Sequence, residues 1–495
     1  MELFLTKHMK NKRKVLLFLD SEDRFFTITE LVEYLQISAK TCKHQLLMLT
    51  EELEGLTDQV RIISEKGRWR IIRRSTYPIQ KIIITWALHG IPFKYISDLF
   101  FEKMINAETF AQQNYLSHSS YYKKRKEIHQ YLILHKVEVL SKPKIHLCSS
   151  EAQIRYVYFK LFWDVYEGIP LFLKKKENEK ITNFLRRIEN IVEEPLDAFQ
   201  KDQLAFWLAL SVSRIKNKKH TKIMDRTVVD SKLVENIEKE YRFFLREYQL
   251  SEKDTIAEVN FLFTVFSLNP LMVDKRRDSL FLEYSIPKSG DFIRDKLFLQ
   301  IEKYIPIDSH SVSKNPQIIA QMNKIYLESI SFYPDDYLCT DNDNSFQNQL
   351  VRKKINQFIV DVIDENEKNR QIYEMKEFLS KKYADLLEDY VNWDFYIKKV
   401  KLKISIINSN CETKVLVSKL SHYFSEKVEI LAFNSQERPD FTLTNYRGPN
   451  FQHSPSAGLY FIGEKLGKKD WNYLKQSIDS IFNRLNQKLI KFIED

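Results

Sequence analysis

The sequence predicts a multidomain, mainly α-helical chain with two winged helix-turn-helix units at its N-terminal end and a small α/β domain at its C-terminal end. Three observations lead there. A chain of 495 residues is too long for one hydrophobic core and suggests about three to five domains. Only 9 glycines and 13 prolines beside 43% apolar residues favour helices over turn-rich β architecture. Finally, Tyr34-Leu-Gln-Ile-Ser-Ala-Lys-Thr-Cys-Lys-His44 is echoed 79 positions later by Gln113-Asn-Tyr-Leu-Ser-His-Ser-Ser-Tyr-Tyr-Lys123. In each copy a helix-like stretch ends in Ile37 or Leu116, a serine follows (Ser38 or Ser117), and a second helix begins. A serine at that point caps the orphan N–H groups of the second helix, whose first turns then suit the DNA major groove.

In the first unit, residues 11–20 and Thr29–Leu35 read as helices. A third helix runs from Ala39 to about Leu53, with Cys42, Leu46, Leu49 and Leu53 on one stripe. The opposite side presents Lys40, Lys43 and His44, with Thr41 at its edge, and these are the candidate groove contacts. Val60–Ile72 then reads as two strands around a Lys66-Gly67 turn, a wing whose Lys66, Arg68 and Arg70 could reach a phosphate backbone.

The second unit opens with helical patterns over Pro78–His89 and Pro92–Lys103. Ala107–Leu116 and Ser119–Leu134 repeat the helix-turn-helix, with Tyr121, Ile128 and Leu132 on the buried stripe and Ser119, Tyr122, Lys123 and Lys126 on the other side. Arg125 stands where the first copy has Leu46, so the repeat is imperfect. Val137–Leu147 is a weaker hairpin. Charge follows the repeat: residues 1–150 hold 24 Lys and Arg against 16 Asp and Glu, and the remainder 53 against 51. The excess cation therefore lies where phosphates would be met.

Amphipathic helices follow over 152–275 and 290–395, among them Ile154–Val165, Gln203–Ile215, Leu233–Tyr248 and Ile318–Phe332, with a polar loop at Cys339–Gln347. After Trp393 the pattern changes. Strands at Lys401–Asn408, Lys427–Phe433, Phe441–Thr444 and Gly458–Ile462, with helices at Glu412–Tyr423 and Lys469–Ile493, imply an α/β sandwich on a partly parallel sheet. Cys42, Cys148, Cys339 and Cys411 are widely spaced and suggest neither disulfides nor a zinc site. No apolar run is long enough to span a membrane and the first residues lack signal-peptide order, so a cytoplasmic protein without metal, cofactor or catalytic residues is expected.

The paired helix-turn-helix segments, the stretch Ser149-Ser-Glu-Ala-Gln-Ile-Arg-Tyr-Val-Tyr-Phe159 and the order of domains resemble the Mga and AtxA family of regulators from Gram-positive bacteria. The resemblance implies winged helix-turn-helix domains over 1–75 and 76–150, all-helical PTS regulation domains over 151–282 and 283–395, and an enzyme-IIB-like α/β domain over 396–495. It also implies a homodimer bound to double-stranded DNA. Phosphate would come from the phosphohistidine carrier of the sugar phosphotransferase system, onto an exposed histidine of the helical domains. His220, beside Arg214, Lys216, Lys218 and Lys219, whose charge is expected to keep it at the surface, is the first candidate and His310 the second. An active IIB domain places cysteine at the end of its first strand, followed by glycine. Here Asn408 takes that position, Cys411 comes three residues later and no glycine follows, so a dimerising or sensing module is expected. Two other readings are an RNA-binding antiterminator, disfavoured by the helical start, and a phosphocarrier, disfavoured by the missing glycine loop.

Overall fold

The computed structural model describes residues 2–56, 58–103, 106–142, 144–193, 195–222, 232–268, 292–299, 315–334, 355–364, 370–390, 398–406, 410–424, 427–432, 435–445, 459–461 and 467–487. The chain forms two compact units: Met1–Pro287 with Leu327–Asp335, and Lys288–Tyr326 with Asp336–Asp495.

The first unit begins with α1 (Lys7–Leu19), longer than its apolar residues suggest because Thr6 caps Met9 N–H at 3.3 Å and the polar Lys7–Lys14 turns join the helix. Strand β1 (Phe26–Thr27) leads directly into α2 (Ile28–Leu35). Thr27 and Glu30 cap one another reciprocally: Thr27 N–H donates to Glu30 Oε2 at 2.7 Å, and Glu30 N–H donates to Thr27 Oγ1 at 3.2 Å. The Thr27 backbone donor, with Arg24 and the Thr27 hydroxyl, holds the Glu30 carboxyl down to about 2. α3 (Ala39–Leu53) buries Cys42, Leu46, Leu49 and Leu53 on the expected stripe. β2 (Val60–Glu65) and β3 (Arg68–Arg73) form the hairpin, and β1 adds to β3, giving an antiparallel sheet in the order β1-β3-β2. β1 is too short to leave a period in the sequence.

α4 (Gln80–Leu88) and α5 (Ile91–Phe100) come next. Between them Gly90 is required by close approach, since a Cβ there would lie 2.7 Å from the Phe4 carbonyl oxygen. α6 (Ala107–Gln113), α7 (His118–Leu134) and the short hairpin β4 (Glu138–Leu140) and β5 (His146–Cys148) complete the second helix-turn-helix. α8 (Glu151–Tyr166), α9 (Lys175–Val192), α10 (Ala198–Lys216), α11 (Lys232–Leu245) and α12 (Glu252–Leu268) follow. One continuous hydrophobic core runs from Phe4 and Val15 through Ile96 and Tyr121 to Phe162, Trp207 and Phe266. The helix-turn-helix segments therefore share their core with the helices that follow.

The helix Pro316–Ser331 begins in the second unit and its last turns, from Leu327, belong to the first; in the second unit, helices Arg370–Glu374 and Lys376–Tyr390 precede the C-terminal sheet, and the expected polar loop at Cys339–Gln347 lies outside the described residues. Strands β6 (Val400–Ser405), β7 (Val428–Ile430), β8 (Phe441–Thr444) and β9 (Leu459–Phe461) lie in the order β7-β6-β8-β9. Every described pairing is parallel, which corrects the expectation of a partly parallel sheet. The reason is topological. The helix Asn410–Tyr423 carries the chain from β6 to β7 as a parallel crossover, and β8 then returns to the far side of β6. Every residue of β8 is buried, as suits a central strand covered on both faces, and Leu474, Ile478 and Phe482 of the helix Lys468–Leu485 pack against this sheet's core.

Candidate nucleic-acid interface

The two recognition segments are built alike. Gln36 and Tyr115, again 79 positions apart, both adopt the left-handed conformation with φ of 52°, which ends the first helix and turns the chain. Ser38 then accepts from Thr41 N–H at 3.1 Å, and Ser117 from Ser120 N–H at 3.2 Å. An N-terminus capped in this way leaves its first turn, with the positive end of the helix dipole, free to face a phosphate or base edge.

On α3, Lys40, Lys43 and His44 are exposed and Thr41 is half-buried, its hydroxyl 2.8 Å from the Ser38 oxygen. Leu47, one turn further on, is 55% exposed and continues this face. It falls outside the stripe of Cys42, Leu46, Leu49 and Leu53 and one turn beyond Lys43 and His44, in keeping with its exposure. The His44 ring lies 6.0 Å from that of His8, which brings the start of α1 beside the same face. Burial, together with nearby Lys12 and His44, lowers the His8 pKa.

The wing turns at Lys66 and Gly67, whose φ values of 48° and 74° match a two-residue hairpin turn. Lys66 and Arg68 are exposed at its tip. Arg70 is not free in the same way: Nη2 donates to Asp23 Oδ1 at 2.6 Å and Nε to the same oxygen at 3.1 Å. Its role is first to tie the hairpin to the segment before β1.

On α7, Ser119, Tyr122, Lys123 and Lys126 are all exposed, while Tyr121, Ile128 and Leu132 are buried. The Ser119 hydroxyl lies 3.1 Å from that of Ser117. Arg125, in the position of Leu46, is half-buried and donates from Nη2 to Ser141 Oγ at 3.1 Å, holding the loop of the second hairpin instead of filling a core. The second wing also spends Lys144 on Glu102, 3.2 Å away.

Behind this unit lies a buried charge network that sequence reasoning missed. Arg214 donates from Nε and Nη2 to the two oxygens of Glu151 at 2.8 and 2.9 Å, and from Nη1 to the Phe100 carbonyl at 2.7 Å. Arg155 donates from Nη1 and Nη2 to Glu258 at 2.6 and 2.9 Å, and from Nε to Glu151 at 3.1 Å. Burial opposes the Arg155 charge, but Glu258 and Glu151 raise its pKa, so it stays ionised. Gln153 Nε2 donates to the His135 carbonyl at 2.8 Å and Tyr158 OH to the Ile96 carbonyl at 3.2 Å. Gln153 and Tyr158 of the 149–159 stretch thus join the end of α7 and α5 to the helical bundle.

His220 sits on the strap after α10. Its basic neighbours predict a place at the surface. The ring is instead half-buried, and its Nδ1 is shielded with no hydrogen-bond partner among the described residues. Its neighbours are anchored inward: the Lys219 carbonyl accepts from Arg155 Nη2 at 3.3 Å, and Thr221 N–H donates to Glu258 Oε1 at 3.0 Å. His310 and Asn408 lie outside the described residues, as does the Cys411 side chain. Cys42 is buried and Cys148 exposed, both as thiols. No described helix is long and apolar enough to cross a membrane.

Residues 78–162 match the Mga helix-turn-helix domain, a span that takes in α4 to α7, the second hairpin and most of α8. Among known proteins, the chain is 22% identical over 202 residues to the anthrax toxin expression trans-acting positive regulator of Bacillus anthracis, covering 40% of this chain and 41% of that protein. It is 20% identical over 424 residues to a trans-acting regulator of Streptococcus pneumoniae, covering 83% and 82%. It is also 22% identical over 211 residues to the capsule synthesis positive regulator AcpB of Bacillus anthracis, covering 42% and 43%. The match thus spans about two fifths of the two anthrax proteins and four fifths of the streptococcal one. These likenesses bear out the resemblance to the Mga and AtxA regulators that the paired motifs carry.

Proposed function

We propose that this member of the Mga and AtxA family is a double-stranded DNA-binding regulator that acts as a homodimer and promotes transcription. The observation that carries the reading is the repeated backbone device, a left-handed residue followed by a capping serine and an exposed cationic face, once in α2 and α3 and once in α6 and α7. In this reading Lys40, Thr41, Lys43 and His44, with Lys66 and Arg68 of the wing, contact one stretch of duplex, and Arg70 braces the wing. Ser119, Tyr122, Lys123 and Lys126 form the second contact. Lysine binds phosphate as a point charge, whereas the commonest specific base contact is a bidentate arginine, so a modest sequence preference and a reading of DNA shape follow. Positive control is the sense carried by the names of two relatives.

The remaining domains are proposed as PTS regulation domains over 151–282 and 283–395 and an enzyme-IIB-like module over 396–495. The amphipathic helices α8 to α12 support the first assignment, and the parallel order β7-β6-β8-β9 supports the last. Phosphoryl transfer from the phosphohistidine carrier to His220 would then tune activity, because its neighbours are bonded into the network that braces α5. His310 is the second candidate. A gel-shift titration of the full chain against duplex DNA at two salt concentrations, with single-stranded RNA as competitor, tests the reading. Duplex binding that weakens steeply with salt supports it, and a preference for RNA, or no binding, contradicts it.

A further inference from the structure

A cleft of about 660 Å³ opens beside the buried network, between the N-terminal turns of α8 and α12 and the strap that follows α10. Its floor is apolar, with Leu147, Ile154 and Ala257. Its rim is cationic: Lys218, Lys222 and Lys253 line it and are exposed, and none has a carboxylate partner among the described residues. Lys219 is spent on Glu102, at 3.2 Å, and Glu151 on Arg155 and Arg214. Among the described lining residues, Asp254 alone is left to offset the three ammonium groups, and it already accepts from the Ser251 hydroxyl at 2.6 Å. His220 adds a half-buried ring whose Nδ1 has no described partner.

Three like charges gathered in one cleft beside two helix N-termini repel one another in the empty state and are relieved by an anion. The volume suits an organic ligand and exceeds the needs of a lone inorganic ion. The apolar floor requires a body to cover it. We propose that this cleft is an effector site for a small organic phosphate monoester, whose phosphate meets Lys218, Lys222 and Lys253 and whose remainder covers Leu147, Ile154 and Ala257. This site does not depend on phosphoryl transfer to His220.

The position gives such a ligand a route to DNA binding. Glu151 and Arg214 line the cleft, and Arg214 also donates to the Phe100 carbonyl at the end of α5, the helix against which α7 packs. Thr221, another lining residue, donates to Glu258. A ligand that orders these walls stiffens the support of the second recognition helix, and by linkage DNA alters the affinity for the ligand by the same factor.

The test uses the full chain with glucose 6-phosphate, AMP and inorganic phosphate as probes, and reads the thermal midpoint and the ligand Kd. Either monoester is expected to raise the midpoint by several degrees and to bind at least about tenfold more tightly than inorganic phosphate. The sugar and nucleotide arms distinguish the body of the ligand. The variant Lys218→Ala with Lys253→Ala, which removes only exposed side chains, should keep or slightly raise the unliganded midpoint and lose the shift. No shift with either monoester, an equal response to inorganic phosphate, or an undiminished shift in the variant would each overturn the proposal. Labelled phosphate transferred to His220 without monoester binding would leave the phosphorylation reading standing and remove this one.

Discussion

The two helix-turn-helix units share a backbone device and differ in what holds it. The first draws mainly on its own residues, although Phe4 against Phe93 and Lys12 over Trp86 join it to α5 and α4: Leu46 fills its core, a Thr27 and Glu30 capping box starts α2, and three strands complete the wing. The second has Arg125 where Leu46 would be, a two-stranded hairpin, and bracing from outside through Gln153 with His135, Tyr158 with Ile96, and Arg214 with Phe100. A recognition helix thus needs only a left-handed residue and a serine to be placed, and its core can come from a neighbouring domain. The same borrowed support makes the second unit the one that events in the helical bundle can reach.

The strongest way to break this contrast is Arg214→Met. Leaving the buried Glu151 carboxylate with Arg155 alone and the Phe100 carbonyl without this donor should cost about 3–5 kcal/mol. Amide exchange should rise first in α5 and α7, and an equal rise in α2 and α3 would dissolve the distinction. Next, Leu46→Ala should cost about 2–5 kcal/mol, whereas Arg125→Ala at the equivalent position should stay within about 1 kcal/mol. Urea midpoints compare them, and equal destabilisation would mean that Arg125 is as much a core residue as Leu46.

Acid should separate the units further. Burial, and then the charge of Arg125, hold His129 down to about 4 from its ordinary 6.5, and its Nε2 is 2.7 Å from the Tyr95 hydroxyl. An unfolded chain gains this proton below about 6.5 and the folded one only near 4, so His129 destabilises the second unit as pH falls through that window and has no such effect above it. In the first unit the Glu30 contribution is complete above 4.5 and is lost only as pH falls towards about 2. His129→Gln should therefore flatten the fall in thermal midpoint between pH 7 and 5. An unchanged slope would show that another group sets it. Smallest of the stability effects are the caps: Ser38→Ala and Ser117→Ala should each cost about 1 kcal/mol, and a marked inequality would mean that the shared device is not equally used.

Much of this was legible because it is local. The serine caps, the stripe on α3 from Ala39 to Leu53 and the strand Phe441–Thr444 follow from period and turn chemistry. What stayed hidden is long-range. Glu151, Arg155, Arg214 and Glu258 look in sequence like solvated helix charges, and only the fold brings partners 63 and 103 positions apart into one buried cluster. The basic neighbours of His220 suggest exposure for the same reason, although Lys219 and Thr221 are anchored inward. The parallel sense of the described strand pairs was equally hidden, since strands as short as β7, β8 and β9 carry no sign of direction in their own residues. Among the site residues, Arg70 reads like Lys66 and Arg68 until Asp23 is seen beside it.

The central claim is that two cationic recognition helices meet duplex DNA. Its most direct test is the salt dependence of binding by the full chain, compared among the unaltered protein, Lys40→Ala with Lys43→Ala, and Lys123→Ala with Lys126→Ala. Each pair should weaken binding and reduce the slope of log K against log salt by about 0.9 for every phosphate that is no longer neutralised. Slopes unchanged in both variants would contradict the claim, and a change in the first pair alone would confine DNA binding to α3 and leave α7 a packing element.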